Sequence, residues 1–145
     1  MPAVYTAVAT ATGEGRAGGR ARSDDGLLDV TLAIPAAIGG PGGGTNPEQL
    51  FAAGWASCFH SALKSVAARE RVTLRDSAVV AQIGLLPLES GAYTIEAALE
   101  VEIGGLAQAE AERLVELAHQ VCPYSNATRG NIEVRLTTTT DGDAG

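Results

Sequence analysis

From Tyr93 to Ile103 the chain alternates strictly: Tyr93, Ile95, Ala97, Leu99, Val101 and Ile103 fall on one side, with Thr94, Glu96, Ala98, Glu100 and Glu102 on the other. A period of two predicts a strand with one buried face and one wetted face. Ile132, Val134 and Leu136, set against Glu133 and Arg135, predict a second strand of the same kind. Leu27 to Ile34 and Ala78 to Leu86 also read as strands, and Val4 to Thr12 carries a fainter version of the pattern.

The period changes after Asn46. Asn46-Pro47-Glu48-Gln49 starts a helix, with Asn46 as N-cap and proline at the first helical position. The pattern carries it to about Arg71. Between Leu50 and Val66 apolar residues occur on almost every side, which predicts a buried helix. A second helix is expected from about Gln108 to Val121, with Leu114, Leu117, Ala118 and Val121 as its inner stripe. It should stop near Cys122, because Pro123 disfavours helical geometry in the residue before it. The segment from Pro35 to Thr45 holds five glycines and reads as a loop; it lacks the Gly-Lys-Ser/Thr ending of a phosphate-binding loop.

Strands before and between two helices imply an α+β fold. With no repeat or long linker, residues 1–140 read as one domain and 141–145 as a short acidic tail. So apolar a helix in a chain of 145 residues also suggests that a second subunit helps to bury it.

A formal charge of −7 offers no footing for a polyanion, so nucleic acid is not an expected partner. Neither a secretory leader nor a run long enough to span a membrane is visible, and the expectation is a soluble, cytosolic protein. There, two cysteines point to redox traffic or to metal rather than to a permanent cross-link. They can equally be small buried hydrophobes.

Cys58 lies about three turns beyond Asn46, too far for the helix N-terminus to favour its thiolate. Apolar surroundings raise a thiol's pKa, so a reactive Cys58 needs a cation from elsewhere. Arg16, Arg20 and Arg22 are the upstream candidates, and Glu48 is placed to hold a guanidinium in a two-pronged contact. Cys122, at a helix end before Pro123, suits a thiol that must move to form and release a disulfide.

Three other readings use the same residues. Cys58, His60, His119 and Cys122 supply the inventory of a structural zinc site, although positions 58 and 60 point about 200° apart on a helix. A Cys-His hydrolase would take His60 or His119 as its base. A non-enzymatic dimeric module could hold a small ligand against the apolar helix and leave both cysteines inert.

Two segments are specific enough to carry a resemblance. Thr45-Asn46-Pro47-Glu48-Gln49-Leu50-Phe51-Ala52-Ala53-Gly54-Trp55-Ala56-Ser57-Cys58-Phe59 and His119-Gln120-Val121-Cys122-Pro123-Tyr124-Ser125-Asn126-Ala127-Thr128-Arg129-Gly130-Asn131 closely resemble the organic hydroperoxide resistance branch of the OsmC family. The likeness extends over essentially the whole chain, and the second segment resembles this branch rather than its osmotically induced relatives.

The resemblance implies an intertwined homodimer with central apolar helices wrapped by antiparallel-rich sheets. It implies a thiol peroxidase in which Cys58 attacks an organic hydroperoxide and Cys122 resolves the sulfenic acid to a disulfide, with Glu48 as the carboxylate partner of a catalytic arginine. Arg16, in Thr12-Gly13-Glu14-Gly15-Arg16, is the nearest match for that arginine, and Arg20 stays open. Dihydrolipoyl groups, often on lipoylated proteins, would reopen the disulfide. No metal, flavin or haem is implied.

Helical neighbours of Cys58 predict a substrate pocket. Gly54 and Ala62 would leave space beside the sulfur, and Phe51 and Trp55 would either line it with apolar surface or simply pack the core. Bulky organic hydroperoxides should then be preferred to hydrogen peroxide.

Overall fold

The computed structural model describes residues 1–141, which form two compact units divided after Leu50. The expected acidic tail, Asp141 apart, lies outside the described residues.

In the first unit β1 (Ala9–Gly13), β2 (Gly19–Ser23) and β3 (Asp29–Thr31) make an antiparallel sheet in the order β1-β2-β3. The strand expected from Val4 begins only at Ala9, since the pairing of β1 runs from Ala9 opposite Ser23 to Gly13 opposite Gly19. The strand expected over Leu27 to Ile34 shrinks to β3. Leu27 falls in a turn that the Ser23 and Asp25 side chains hold by accepting the Leu28 and Leu27 amides. The second half of a stretch rich in glycine and arginine forms β2. The glycine-rich loop has only a 3-10 turn at Ala36–Ile38 and is tied down by Ala33 N–H to Thr45 O (3.0 Å) and Thr45 N–H to Thr31 O (2.9 Å).

Helix α1 (Pro47–Arg69) starts as its sequence dictates: Asn46 Oδ1 accepts the Gln49 amide at 2.8 Å. In the second unit β4 (Ser77–Pro87) and β5 (Tyr93–Ile103) form an antiparallel hairpin, and β6 (Val134–Thr140) runs parallel to β5. A parallel neighbour requires a crossover. That crossover is α2 (Gln108–Val121) followed by α3 (Pro123–Thr128), a short helix the sequence reading did not anticipate.

The alternation in β5 does what its pattern predicts. Ala97, Leu99, Val101 and Ile103 are buried, and they share one core with Trp55, Phe59, Leu63 and Val66 of α1 and Ala111, Leu114, Val115 and Ala118 of α2. Burial of α1 is one-sided in the single chain, contrary to the all-round expectation. Trp55, Phe59, Ala62, Leu63, Val66 and Ala67 are inside, while Ala53, Ser57, Ser61 and Lys64 are exposed. One chain covers only the face with large side chains. Among the described residues no helix is long and apolar enough to cross a membrane.

Candidate active site

The hairpin between β1 and β2 turns at Glu14 to Gly18, and its tight course uses φ of +82° at Gly13 and +62° at Gly15, which favour glycine. Arg16 stands in that turn. Its two terminal nitrogens donate to the two Glu48 carboxylate oxygens at 3.0 and 2.8 Å, the two-pronged contact expected for Glu48. Arg16 holds the Glu48 carboxyl below the usual carboxylate range against the opposing effect of burial. Glu48 also sits in the first turn of α1, where the helix dipole favours a negative charge. Arg20 is engaged elsewhere, forked to Asp29 at 2.7 and 2.5 Å on the exposed side of the sheet. Arg22 is likewise exposed on β2.

In the second unit the two cysteines, distant in sequence, are near enough for one to act on the charge of the other: Cys58 packs against the core cluster that contains Cys122, and both thiols are free. Cys58 is half-buried, and Cys122 is fully buried in the core. Burial is the first cause that pushes the Cys58 thiol up, and charge on Cys122 adds to it. The Tyr124 backbone pulls the other way. Two thiols brought together in this way, one of them reachable, can be oxidised to a disulfide with loss of two hydrogens.

The helix end at Cys122 is not loose, as its position before Pro123 suggested. Its N–H reaches Ala118 O at 2.9 Å and its carbonyl accepts the Asn126 amide at 3.0 Å. Arg129 bridges the junction, donating to His119 O and to Asn126 Oδ1, each at 2.6 Å. Because Cys122 belongs to the core cluster that Cys58 packs against, the two residues are already brought to one place in the fold.

The pocket expectation needs correction. The space beside Gly54 is filled by Tyr124: a Cβ on Gly54 would stand 2.7 Å from the Tyr124 hydroxyl oxygen. Ala62 is buried and Trp55 has no exposed surface, so both belong to the core of the chain. Phe51 is half-buried and meets Trp55 at 5.9 Å and Tyr124 at 5.5 Å, ring centre to ring centre. Tyr124 was not foreseen as a site residue. The available signal was Pro123 itself, which stops α2 and equally occupies the first position of a new helix.

The histidines do not gather at the thiols. His60 shares a 2.8 Å hydrogen bond with Ser77, and the His119 ring lies against Phe59. Among the described residues no three His, Cys, Asp or Glu side chains come together as metal ligands, so the four members of the zinc reading are not assembled. Among the described residues neither histidine hydrogen-bonds Cys58, so the hydrolase reading has no base engaged there.

Comparison with known proteins agrees with this architecture. The family described as OsmC-like protein matches residues 40–137. An organic hydroperoxide resistance protein of Xanthomonas axonopodis pv. citri is 54% identical over 140 residues, covering 92% of this chain and 94% of its own. Among solved structures, an organic hydroperoxide resistance protein of Elizabethkingia anophelis superposes with a TM-score of 0.92 at 44% identity, covering 97% of this chain and 100% of the other. The corresponding protein OhrB of Bacillus subtilis gives a TM-score of 0.85 at 46% identity, over 94% of this chain and 100% of its own.

Proposed function

The chain belongs to the organic hydroperoxide resistance branch of the OsmC-like family, and from that premise we propose that it is a thiol-dependent peroxidase which reduces organic hydroperoxides to alcohols. The observation that carries the reading is that a half-buried Cys58 packs against the core cluster in which Cys122 is buried. Cys58 attacks the peroxide as a thiolate and becomes a sulfenic acid, and Cys122 condenses with it to a disulfide and water. Arg16, aimed by its fork to Glu48, supplies the cation that the raised Cys58 thiol requires and stabilises charge on the peroxide oxygens. Arg20, committed to Asp29, is not assigned this part.

A dithiol such as dihydrolipoamide or a lipoylated protein returns the disulfide to thiols, in the cytosol and without a metal or organic cofactor. The working form is a homodimer. The exposed Val4, Tyr5 and Leu27 and the uncovered side of α1 support that assignment, since a second copy would remove them from water. Phe51 and the Tyr124 ring, backed by Trp55 and seated by Gly54, offer an alkyl or aryl substrate about 25 cal/mol per Å² of apolar surface covered. Hydrogen peroxide has no group to place there.

The test is to mix the reduced protein with one equivalent of cumene hydroperoxide, count free thiols and measure intact mass. Loss of both thiols with an intramolecular loss of two hydrogens is expected. Unaltered thiols would overturn the reading in favour of a dimeric small-ligand-binding module with inert cysteines.

A further inference from the structure

The Tyr124 ring packs on Phe51 and Trp55, yet its hydroxyl has no hydrogen-bond partner among the described residues. That oxygen lies against the backbone at Gly54, close enough that only glycine leaves room for it. Gly54 precedes Cys58 by one turn, so the two positions share a face of α1 and lie about 6 Å apart along its axis. Side chains on a helix lean toward its N-terminus, which turns the Cys58 sulfur toward the very turn that Tyr124 covers. The Tyr124 backbone also acts on the Cys58 thiol, favouring its thiolate against the effect of burial, in keeping with its place beside that turn. Tyr124 thus presents an unengaged hydroxyl to the Cys58 face of the helix, one turn from the sulfur.

Resting on the peroxidase reading, we propose that the Tyr124 hydroxyl is a catalytic hydrogen-bond donor to the oxygen that departs when Cys58 attacks an organic hydroperoxide. The thiolate sulfur forms a bond to the terminal oxygen, the O–O bond breaks, and its electron pair leaves on the alkyl-bearing oxygen. Sulfur is oxidised to the sulfenic acid, which keeps the peroxide's hydrogen, and the departing alkoxide takes a proton from the Tyr124 hydroxyl. Water then returns a proton to the phenolate. An alkoxide is a strongly basic leaving group, so a donor placed at it lowers the barrier where charge develops. Neither histidine takes this part, since His60 is bonded to Ser77 and His119 lies against Phe59.

The experiment follows single-turnover oxidation of the Cys58 thiol by cumene hydroperoxide and by peracetic acid, whose departing carboxylate needs little help. Removing one donor from a developing oxyanion costs about 10²-fold in rate, and Tyr124→Phe should approach that loss with cumene hydroperoxide while peracetic acid is little affected. Gly54→Ala, whose Cβ displaces the hydroxyl and suits a helix, should reproduce the selective loss should Tyr124→Phe fold poorly. Alkylation of Cys58 by iodoacetamide should be unchanged in Tyr124→Phe. Equal slowing with both oxidants, or no slowing with either, would overturn the role of Tyr124 while leaving the peroxidase reading intact. A wild-type protein that neither oxidant touches would instead overturn that underlying reading.

Discussion

The middle of α1 and the junction between α2 and α3 each hold one cysteine, and they treat it differently. Around Cys58 the helix is flanked by small residues, Gly54 and Ala62, and the thiol keeps some access to solvent. Around Cys122 the backbone is bonded on both sides, Arg129 and Asn126 tie the two helices together, and the thiol is buried. On the proposed peroxidase reading, the contrast corresponds to a division of labour. A nucleophile has to meet an incoming molecule, whereas its resolving partner has to meet only the nucleophile and benefits from being held beside it and away from other oxidants.

Replacing the thiols separately tests that division most severely. Cys58→Ser should abolish peroxide consumption, since Cys122 has no access of its own. Cys122→Ser should pass through one oxidation and then stall as the sulfenic acid or run on to the sulfinic acid, visible as added oxygen in the intact mass. Normal cycling of Cys122→Ser with a dithiol would remove the resolving role.

A smaller effect separates the two arginine forks. Arg16→Ala should slow Cys58 oxidation by roughly 10²-fold, the scale of losing a group that stabilises transition-state charge, and Arg20→Ala should change it little. Glu48→Gln should be a milder version of Arg16→Ala. The pH dependence gives the sign independently. Burial and Cys122 push the Cys58 thiol up, and a raised pKa means less thiolate at neutral pH. Without Arg16, the rate of Cys58 alkylation by iodoacetamide should therefore keep climbing into more alkaline solution, where the wild-type rate has already levelled. Superimposable pH profiles would remove Arg16 as the activating cation.

The gentlest perturbation is Arg129→Ala at the α2–α3 junction. Its bonds to His119 O and Asn126 are charge-assisted but exposed, so stability should fall by only about 1 kcal/mol in denaturant titration. Cys122 should nonetheless become more accessible to thiol reagents, a change that Arg113→Ala on the outer face of α2 should not produce.

What could be read ahead of the structure follows from how local each signal is. The β5 alternation and the Asn46-Pro47 helix start depend on neighbours in sequence, and both appear as the pattern dictates. Glu48 was legible as a guanidinium holder because its place in the first turn is fixed by that same start. Strand β2 was not legible: Arg20 and Arg22 project outward from an exposed sheet, so little apolar alternation marks it. Val4 to Val8 carry a strand-like pattern, but among the described residues the β1 ladder begins at Ala9, with only Val8 O joined beyond it to the Asp24 amide. Tyr124 escaped for a different reason. Which helix it covers depends on where Pro123 redirects the chain, and that is set by tertiary packing rather than by spacing along the sequence.

The most direct measurement is turnover: cumene hydroperoxide consumed and cumyl alcohol formed, with dihydrolipoamide as the sole reductant, by the wild-type protein and by Cys58→Ser. Many equivalents of alcohol per wild-type subunit, and none above the uncatalysed rate with Cys58→Ser, is the result this account predicts. Equal, background-level consumption by both proteins would contradict it.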